Sequence, residues 1–397
     1  MNEQTNNQYL FIVYDFDNNA GSGGIGTYYR ELVQYLSKIN IKTKVITYSK
    51  KNKSLKDGSI IYINELATPF LFLLFSIFLA RNNIFNRHIV AWYCACIKYI
   101  YLHRRELQEY QIEVSDSLSM GFFLNSLNLP YRIKIHTPNY FIYKLNGWPL
   151  SLLVQIVGFF EKKSIDFASK IMSPSKAMAD FLIKEKWLKV NRDYVKLPNY
   201  LIEQKSMTFN EFANKTNSII FISNLQERKG LRVLVEAFQH IRRLYPDIKL
   251  QIFGRDELIY KNKTYYSYLS DLKKNYSFEN IEYNNYCCNL AIKEYLRNAM
   301  ILVYPSLCFE NYPMTILESI ACYCYPLVSN VCGFIELFKS MEVMDNFIIK
   351  PDTNSIIAKI KMVINMNNYE RYEMLNKLQK NIYFNKQIIG QYYHEWK

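Results

Sequence analysis

Between Tyr9 and Tyr48 the chain alternates in a way that few folds accommodate. Tyr9–Tyr14 (YLFIVY) is a short apolar run of β-forming residues, followed by Gly21, Gly23, Gly24 and Gly26. An amphipathic stretch runs from Thr27 to Asn40, and Thr43–Tyr48 (TKVITY) reads as a second strand. Strand, helix and strand at this spacing form a βαβ unit, because parallel neighbours need a crossover connection, and a helix is the usual one. The start of the chain therefore predicts a parallel sheet covered by helices.

The pattern continues. Tyr131–His136 (YRIKIH) predicts a strand ending at a histidine and a Thr-Pro turn. Leu150–Phe167 predicts a helix, Lys170–Ser173 a strand, and Ser175–Glu185 a helix capped by Ser175. After Pro198-Asn199-Tyr200, residues 201–217 are polar and show neither period, which predicts a linker. A second α/β block opens at Ser218–Ile222, passes Lys229-Gly230 into a helix that reaches Tyr245, and returns at Lys249–Phe253. Met300–Tyr304, a helix near Pro313–Ala321 and a strand at Pro326–Ser329 complete it. The expected fold class is α/β. A first domain covers 1–200 and a second 201–379, with a helix from about 380 to 397 packing back on the first.

Composition removes several alternatives. Of 397 residues half are apolar and 21% charged, which excludes a mainly disordered chain. Eight cysteines form no C-x-x-C pair and none sits at zinc-finger spacing from a histidine, so buried free thiols in a reducing cytosol are expected and a metal site is not. Met1–Gln8 lacks the basic start and apolar core of a signal peptide. The net charge of +14 admits a nucleic acid, an anionic membrane or an acidic small substrate as partner. Its larger share, +9, lies in residues 1–204. Ala67–Ala80 carries no charge over 14 residues, too short to span a bilayer, which needs about 20. It reads as a core helix on length, or as a segment resting on a bilayer beside Lys50, Lys51, Lys53, Lys56, Arg81 and Arg87.

The sharpest constellation is Glu310-Asn311-Tyr312-Pro313-Met314-Thr315-Ile316-Leu317-Glu318. Glu310 falls in the loop after a strand, Pro313 suits a first helical turn, and Glu318 projects one or two turns later. A helix start presents unpaired N–H groups to an anion, and carboxylates beside it can accept sugar hydroxyls. Lys229, at the end of another strand–loop–helix passage, is placed for a diphosphate. Gly23-Gly24-Ile25-Gly26 permits a close backbone approach in the first block, though it is not the G-x-G-x-x-G dinucleotide fingerprint.

Together these segments resemble the retaining glycosyltransferases of family 4, which have the GT-B fold of two Rossmann-like domains facing a cleft. The resemblance runs through GGIG at 23–26, IKIHTP around His136, SPSKAMADFL at 173–182, LPNY at 197–200, NLQERKG at 224–230, FGRD at 253–256 and YPSLCFENYPMTILES at 304–319. It implies a nucleotide-sugar donor, UDP- or GDP-linked, as substrate, with no cofactor or metal. Glu318 is then expected on the ribose hydroxyls, Glu310 at the transferred sugar, where positive charge develops, and Lys229 on the diphosphate. Backbone N–H groups of Tyr312, Pro313's neighbours Met314 and Thr315 would hold the distal phosphate or the sugar. His136 is expected over the donor sugar and Gly24 near the diphosphate or acceptor.

The chain departs from the family pattern at Asn224, where arginine is common and where adjacent Arg228 is the available substitute. It departs again at Asn311, where glycine is usual, and at Tyr323, where a small residue is usual. The expected activity is sugar transfer to a glycan or lipid-linked acceptor in cell-surface polysaccharide synthesis. It would occur in the cytoplasm, with peripheral contact to the inner membrane face. The alternatives are a catalytically silent nucleotide-sugar-binding or scaffolding subunit, motivated by Asn224, and a nucleic-acid binder. The cations form no compact stripe, which ranks the last one lowest.

Overall fold

A computed structural model of the protein describes residues 8–16, 23–49, 58–63, 84–201, 206–256, 287–331, 333–340 and 344–394, with 259–260, 263–264, 267, 277 and 279–285 between them. The Ala67–Ala80 run, the Lys50–Lys56 cations, Arg81, Gly21 and Cys332 lie outside the described residues. Strands are β1 (Gln8–Ile12), β2 (Lys42–Tyr48), β3 (Ile60–Ile63), β4 (Gln111–Ser115), β5 (Tyr131–Lys134), β6 (Lys170–Ser173) and β7 (Val195–Lys196). They form one sheet in the order β3-β2-β1-β4-β5-β6-β7, parallel at every pairing.

A second sheet joins β8 (Thr216–Ile222), β9 (Lys249–Phe253), β12 (Ile281–Tyr283), β13 (Ala299–Tyr304), β14 (Tyr325–Ser329) and β15 (Ile348–Ile349). Its order is β12-β9-β8-β13-β14-β15, again parallel throughout. A separate two-stranded pair, β10 (Ile259–Tyr260) with β11 (Lys263–Thr264), is antiparallel. Every residue of β13 and β14 is buried, as strands covered by helices on both faces must be. The alternation of strands and helices thus yields two Rossmann-like α/β layers.

The chain divides into Met1–Asn199 with Ile388–Lys397, and Tyr200–Gln387. One uninterrupted helix, Asn368–His394, crosses that boundary, so the return to the first unit begins at Ile388 rather than near 380. In the first unit Tyr393 donates to Glu113 Oε2 (2.6 Å), Tyr9 donates to the Tyr393 carbonyl (2.7 Å), and Arg132 reaches the Tyr392 hydroxyl (2.9 Å). These buried polar bonds fix the helix end to β1, β4 and β5.

Two sequence expectations need correction. Residues 206–217 are not linker: Thr208 and Glu211 form a capping box on the helix Phe209–Ala213, Phe212 is buried, and β8 begins at Thr216. Nor are all cysteines buried: the seven described are free thiols, but Cys288 is exposed and Cys94, Cys287 and Cys308 are half-buried.

Tyr323 has a local explanation. The helix Met314–Ala321 ends with Tyr323 N–H on the Ile320 carbonyl (3.0 Å) and Cys324 N–H on the Ser319 carbonyl (2.8 Å), a Schellman motif. Its turning residue takes a left-handed conformation (φ 55°), which glycine usually supplies. Here Tyr323 stacks on Tyr372 (5.4 Å between ring centres) and donates to Asn376 (2.9 Å), which offsets the backbone cost.

Candidate active site

In the second sheet the strand order reverses between β8 and β13. The chain leaves β8 toward the helix Leu231–Leu244 on one side and leaves β13 toward Met314–Ala321 on the other. Connections that diverge from neighbouring carboxyl ends open a crevice there, the usual ligand position in a doubly wound sheet. The two loops touch. At Gly230 (φ 75°) an added Cβ would lie 2.0 Å from the Pro305 carbonyl oxygen, so only glycine permits both the turn and the contact. Leu307 N–H and Ser306 Oγ both donate to the Arg228 carbonyl (2.8 and 3.2 Å).

This contact brings three of the expected site residues together. Glu310 Oε1 accepts from Lys229 Nζ (2.6 Å), from Arg228 Nη1 and from Ser306 Oγ (3.3 Å), whose single proton is shared with the Arg228 carbonyl. Its Oε2 accepts from the Tyr304 hydroxyl (3.3 Å), which itself accepts from Lys229 Nζ (3.1 Å). Burial pushes the Glu310 carboxyl up, but the charges of Lys229 and Arg228 and hydrogen bonds from Lys229 and Ser306 outweigh it and hold it below the ordinary carboxylate range. Burial, then the charge of Arg228, lowers Lys229 despite its pairing with Glu310. Burial likewise lowers Arg228, but Glu310, together with Cys308 and Tyr304, more than reverses it. Two cations face one carboxylate, which leaves one positive charge for an anion in a poorly solvated place.

The other expected residues of this unit stand around that network. Pro313 is the residue before the helix rather than its first member (φ −63°, ψ 128°), because the first helical bond runs from Ile316 N–H to the Pro313 carbonyl (3.3 Å). The N–H groups of Met314 and Thr315 therefore precede that bond, as an anion-binding helix start requires. Tyr312 is fixed by Asn385, which donates to its hydroxyl (3.3 Å), and by the Phe334 ring (4.6 Å). Glu318 is buried about one turn along the helix. Asn224 is exposed and contributes none of the hydrogen bonds to Glu310; Arg228 makes the second cationic contact.

Gly24 and His136 belong to the first unit. Helix Gly24–Lys38 begins three residues earlier than the amphipathic pattern does, so Gly24 and Gly26 form its first turn, with Gly24 exposed. His136 follows β5, and its ring packs on Tyr28 and Tyr29 of that helix (5.0 and 5.6 Å between centres). Burial, and then the charge of Lys134, lowers the imidazole well below its ordinary range, which keeps it neutral. Its backbone N–H donates to Asp116 Oδ1 (2.9 Å) at the end of β4.

Several functional positions escaped the sequence reading. Tyr304 and Ser306 flank Pro305 at the end of β13, and their only sequence signal is that placement. Glu161 lies at the end of the apolar first half of the helix Leu152–Phe167. Its carboxylate accepts from the N–H groups of Leu118 (2.8 Å), Asn139 (2.9 Å) and Tyr140 (3.0 Å), tying the loop after β4 to the loop that carries His136. Burial pushes Glu161 up to about 8 against the pull of these N–H groups, and pushes Asp116 up to about 7 against those of His136, Ser117 and Thr137. Among the described residues no group of three or more His, Cys, Asp or Glu is arranged to hold a metal ion.

Residues 203–383, which contain the whole network around Glu310, match the family model described as glycosyl transferases group 1. No curated protein gives a significant sequence match. Among solved structures, the chain is similar to the sucrose-phosphate synthase of Thermosynechococcus elongatus, at 16% identity, covering 98% of this chain and 100% of that one with a TM-score of 0.67. It is similar to trehalose-6-phosphate synthase OtsA at 14% identity, 97% of each chain and a TM-score of 0.65. Anabaena HepE in complex with UDP and glucose matches at 13% identity, 97% of this chain and 98% of that one, with a TM-score of 0.64. At these identities the likeness establishes the fold, which is GT-B.

Proposed function

We propose that this glycosyltransferase moves one sugar, with retention of its anomeric configuration, from a UDP- or GDP-sugar to a glycan or lipid-linked acceptor. The observation that carries this reading is the buried meeting of Lys229, Arg228 and Glu310 at the switch point of the second sheet. One surplus positive charge beside a helix start suits a diphosphate. A carboxylate held ionised suits the positive charge that develops at an anomeric carbon. The reading draws support from HepE with UDP and glucose, and from the family match over residues 203–383.

In this account the bond from the anomeric carbon to the diphosphate breaks as the acceptor oxygen adds on the same face. The acceptor proton passes to the departing phosphate oxygen. Lys229 and Arg228 stabilise that leaving group, the N–H groups of Met314 and Thr315 hold phosphate or sugar, and Glu318 takes the ribose hydroxyls. Neutral His136 hydrogen-bonds the transferred sugar, and Gly24 lies on the acceptor side. Such a reaction needs no metal, since the side-chain cations neutralise the diphosphate.

We further assign the product to cell-surface polysaccharide synthesis on the cytoplasmic face, with the cationic first half of the chain meeting anionic lipid; no nucleic acid is involved. No helix among the described residues is long and apolar enough to cross a membrane. A thermal-shift screen of UDP-, GDP- and ADP-sugars tests the donor assignment, because a ligand of the folded state raises its melting temperature. A shift that Lys229→Met removes is the expected result. A protein whose melting temperature none of them moves is not a nucleotide-sugar transferase.

A further inference from the structure

We infer that Tyr304 is a positioning residue that holds Glu310 in place when the two cations leave it for the donor diphosphate. The inference rests on the function proposed above and deepens it at the same site. In the structure Glu310 Oε1 carries the Lys229, Arg228 and Ser306 donors, whereas Oε2 carries the Tyr304 hydroxyl. Drawing Lys229 and Arg228 onto a diphosphate loosens their bonds to Glu310. Two neutral hydroxyls then remain, Ser306 on one oxygen and Tyr304 on the other, and both come from the short passage Tyr304–Ser306.

Neutral donors fix the carboxylate without cancelling its charge, which is what stabilising a developing cation requires. Tyr304 can do this because it is the last residue of β13, 5% exposed, with its ring under Lys229 Nζ (5.5 Å to the centre). Its hydroxyl touches both partners (3.1 and 3.3 Å), so release of Lys229 frees the phenol oxygen while its proton stays on Glu310.

The test compares wild type with Tyr304→Phe in two assays: binding of UDP, GDP and ADP, and release of nucleoside diphosphate from UDP-glucose, GDP-mannose and ADP-glucose. A hydrogen bond to a charged group predicts that Tyr304→Phe lowers kcat by ~10- to 100-fold. Donor KM and nucleoside diphosphate affinity should stay within about 3-fold, since the phenol does not bind the diphosphate. The acid limb of kcat should move to higher pH, because Glu310 loses a donor to its charged form. Ser306→Ala, a smaller change at the other oxygen, should give the same division more weakly and keeps the test valid if the Phe variant folds poorly. Equal kcat in wild type and both variants overturns the inference, as does a loss of nucleoside diphosphate affinity as large as the loss of kcat. A wild type that binds none of the three nucleotides overturns the functional reading itself.

Discussion

Gly230 and Gly147 make a matched pair for measuring how much the Lys229 loop depends on close backbone approach. Both take left-handed backbone (φ 75° and 67°), but a Cβ at Gly147 meets nothing within 4 Å while one at Gly230 meets the Pro305 carbonyl oxygen at 2.0 Å. Alanine at either position incurs the left-handed backbone penalty, ~1–2 kcal/mol. Reduced freedom of the unfolded chain returns ~0.4–1 kcal/mol. Gly147→Ala should therefore cost about 1 kcal/mol. At Gly230 the two loops must also separate by about 1 Å before the contact reaches an ordinary distance. That movement weakens the bonds from Leu307 N–H and Ser306 Oγ to the Arg228 carbonyl, each worth ~0.5–1.5 kcal/mol. Gly230→Ala should cost about 2–4 kcal/mol. Peptide-resolved amide hydrogen exchange reads each unit separately, so the assay compares β8 and β13 in one variant with β5 and β6 in the other. Exchange in β8 and β13 should quicken by ~30-fold or more in Gly230→Ala, against ~5-fold in β5 and β6 for Gly147→Ala. Equal losses in the two variants would refute the close-approach argument, because backbone strain alone would then account for both.

Further outcomes follow from other buried groups. Glu161 and Asp116 are raised above their unfolded values, to about 8 and about 7, so the stability they contribute is complete below their unfolded pKa values and is lost as pH rises toward the folded ones. Lys134, lowered to about 7, stays protonated in both states below that value; Glu113, also raised by burial, adds to the fall, and His136, lowered well below 6.5, opposes it, so between about pH 4.5 and 7 the raised acids set the sign of the slope against that one imidazole. Urea denaturation of the first unit, followed by tryptophan fluorescence, should show stability falling across that window, and Glu161→Gln should flatten it. A slope unchanged in the variant would contradict the assignment. Lys215 Nζ donates to the carbonyls of Leu296 (3.2 Å), Ala299 (3.0 Å) and Cys322 (3.2 Å), and Lys215→Met should cost about 2–3 kcal/mol in exchange protection of β8 and β13. Tyr323→Gly relieves the left-handed strain yet loses the Tyr372 stack and the Asn376 bond. The two effects should leave the melting temperature within about 3 °C of wild type.

Much of this architecture was legible because buried parallel strands read as short apolar runs. Lys170–Ser173 and Lys249–Phe253 form strands over the residues that the pattern marks, and Ser175 accepts the Met178 N–H as an N-cap should. Legibility failed where a polar composition concealed local order. Thr208 and Glu211 are three apart and cap a helix, yet the segment around them has no apolar period to announce it. The site was half visible. Glu310 and Lys229 carry charge at recognisable spacing, and Arg228 stands beside Lys229. What sequence spacing could not give is the meeting of loops 82 and 81 residues apart, or the Tyr304 hydroxyl between them. Asp116 and Glu161 were hidden for a related reason: a carboxylate held by backbone N–H groups has no partner side chain to mark it.

The central claim is that Glu310 promotes departure of a nucleoside diphosphate from a sugar. The most direct measurement is phosphorus-31 NMR of UDP-, GDP- and ADP-sugars incubated with wild type and with Glu310→Gln, which keeps the shape and removes the charge. The account predicts slow release of nucleoside diphosphate from at least one donor by wild type, and a rate at least ~100-fold lower for the variant, which still binds that donor. Release by both proteins at the same rate, or by neither, would contradict it.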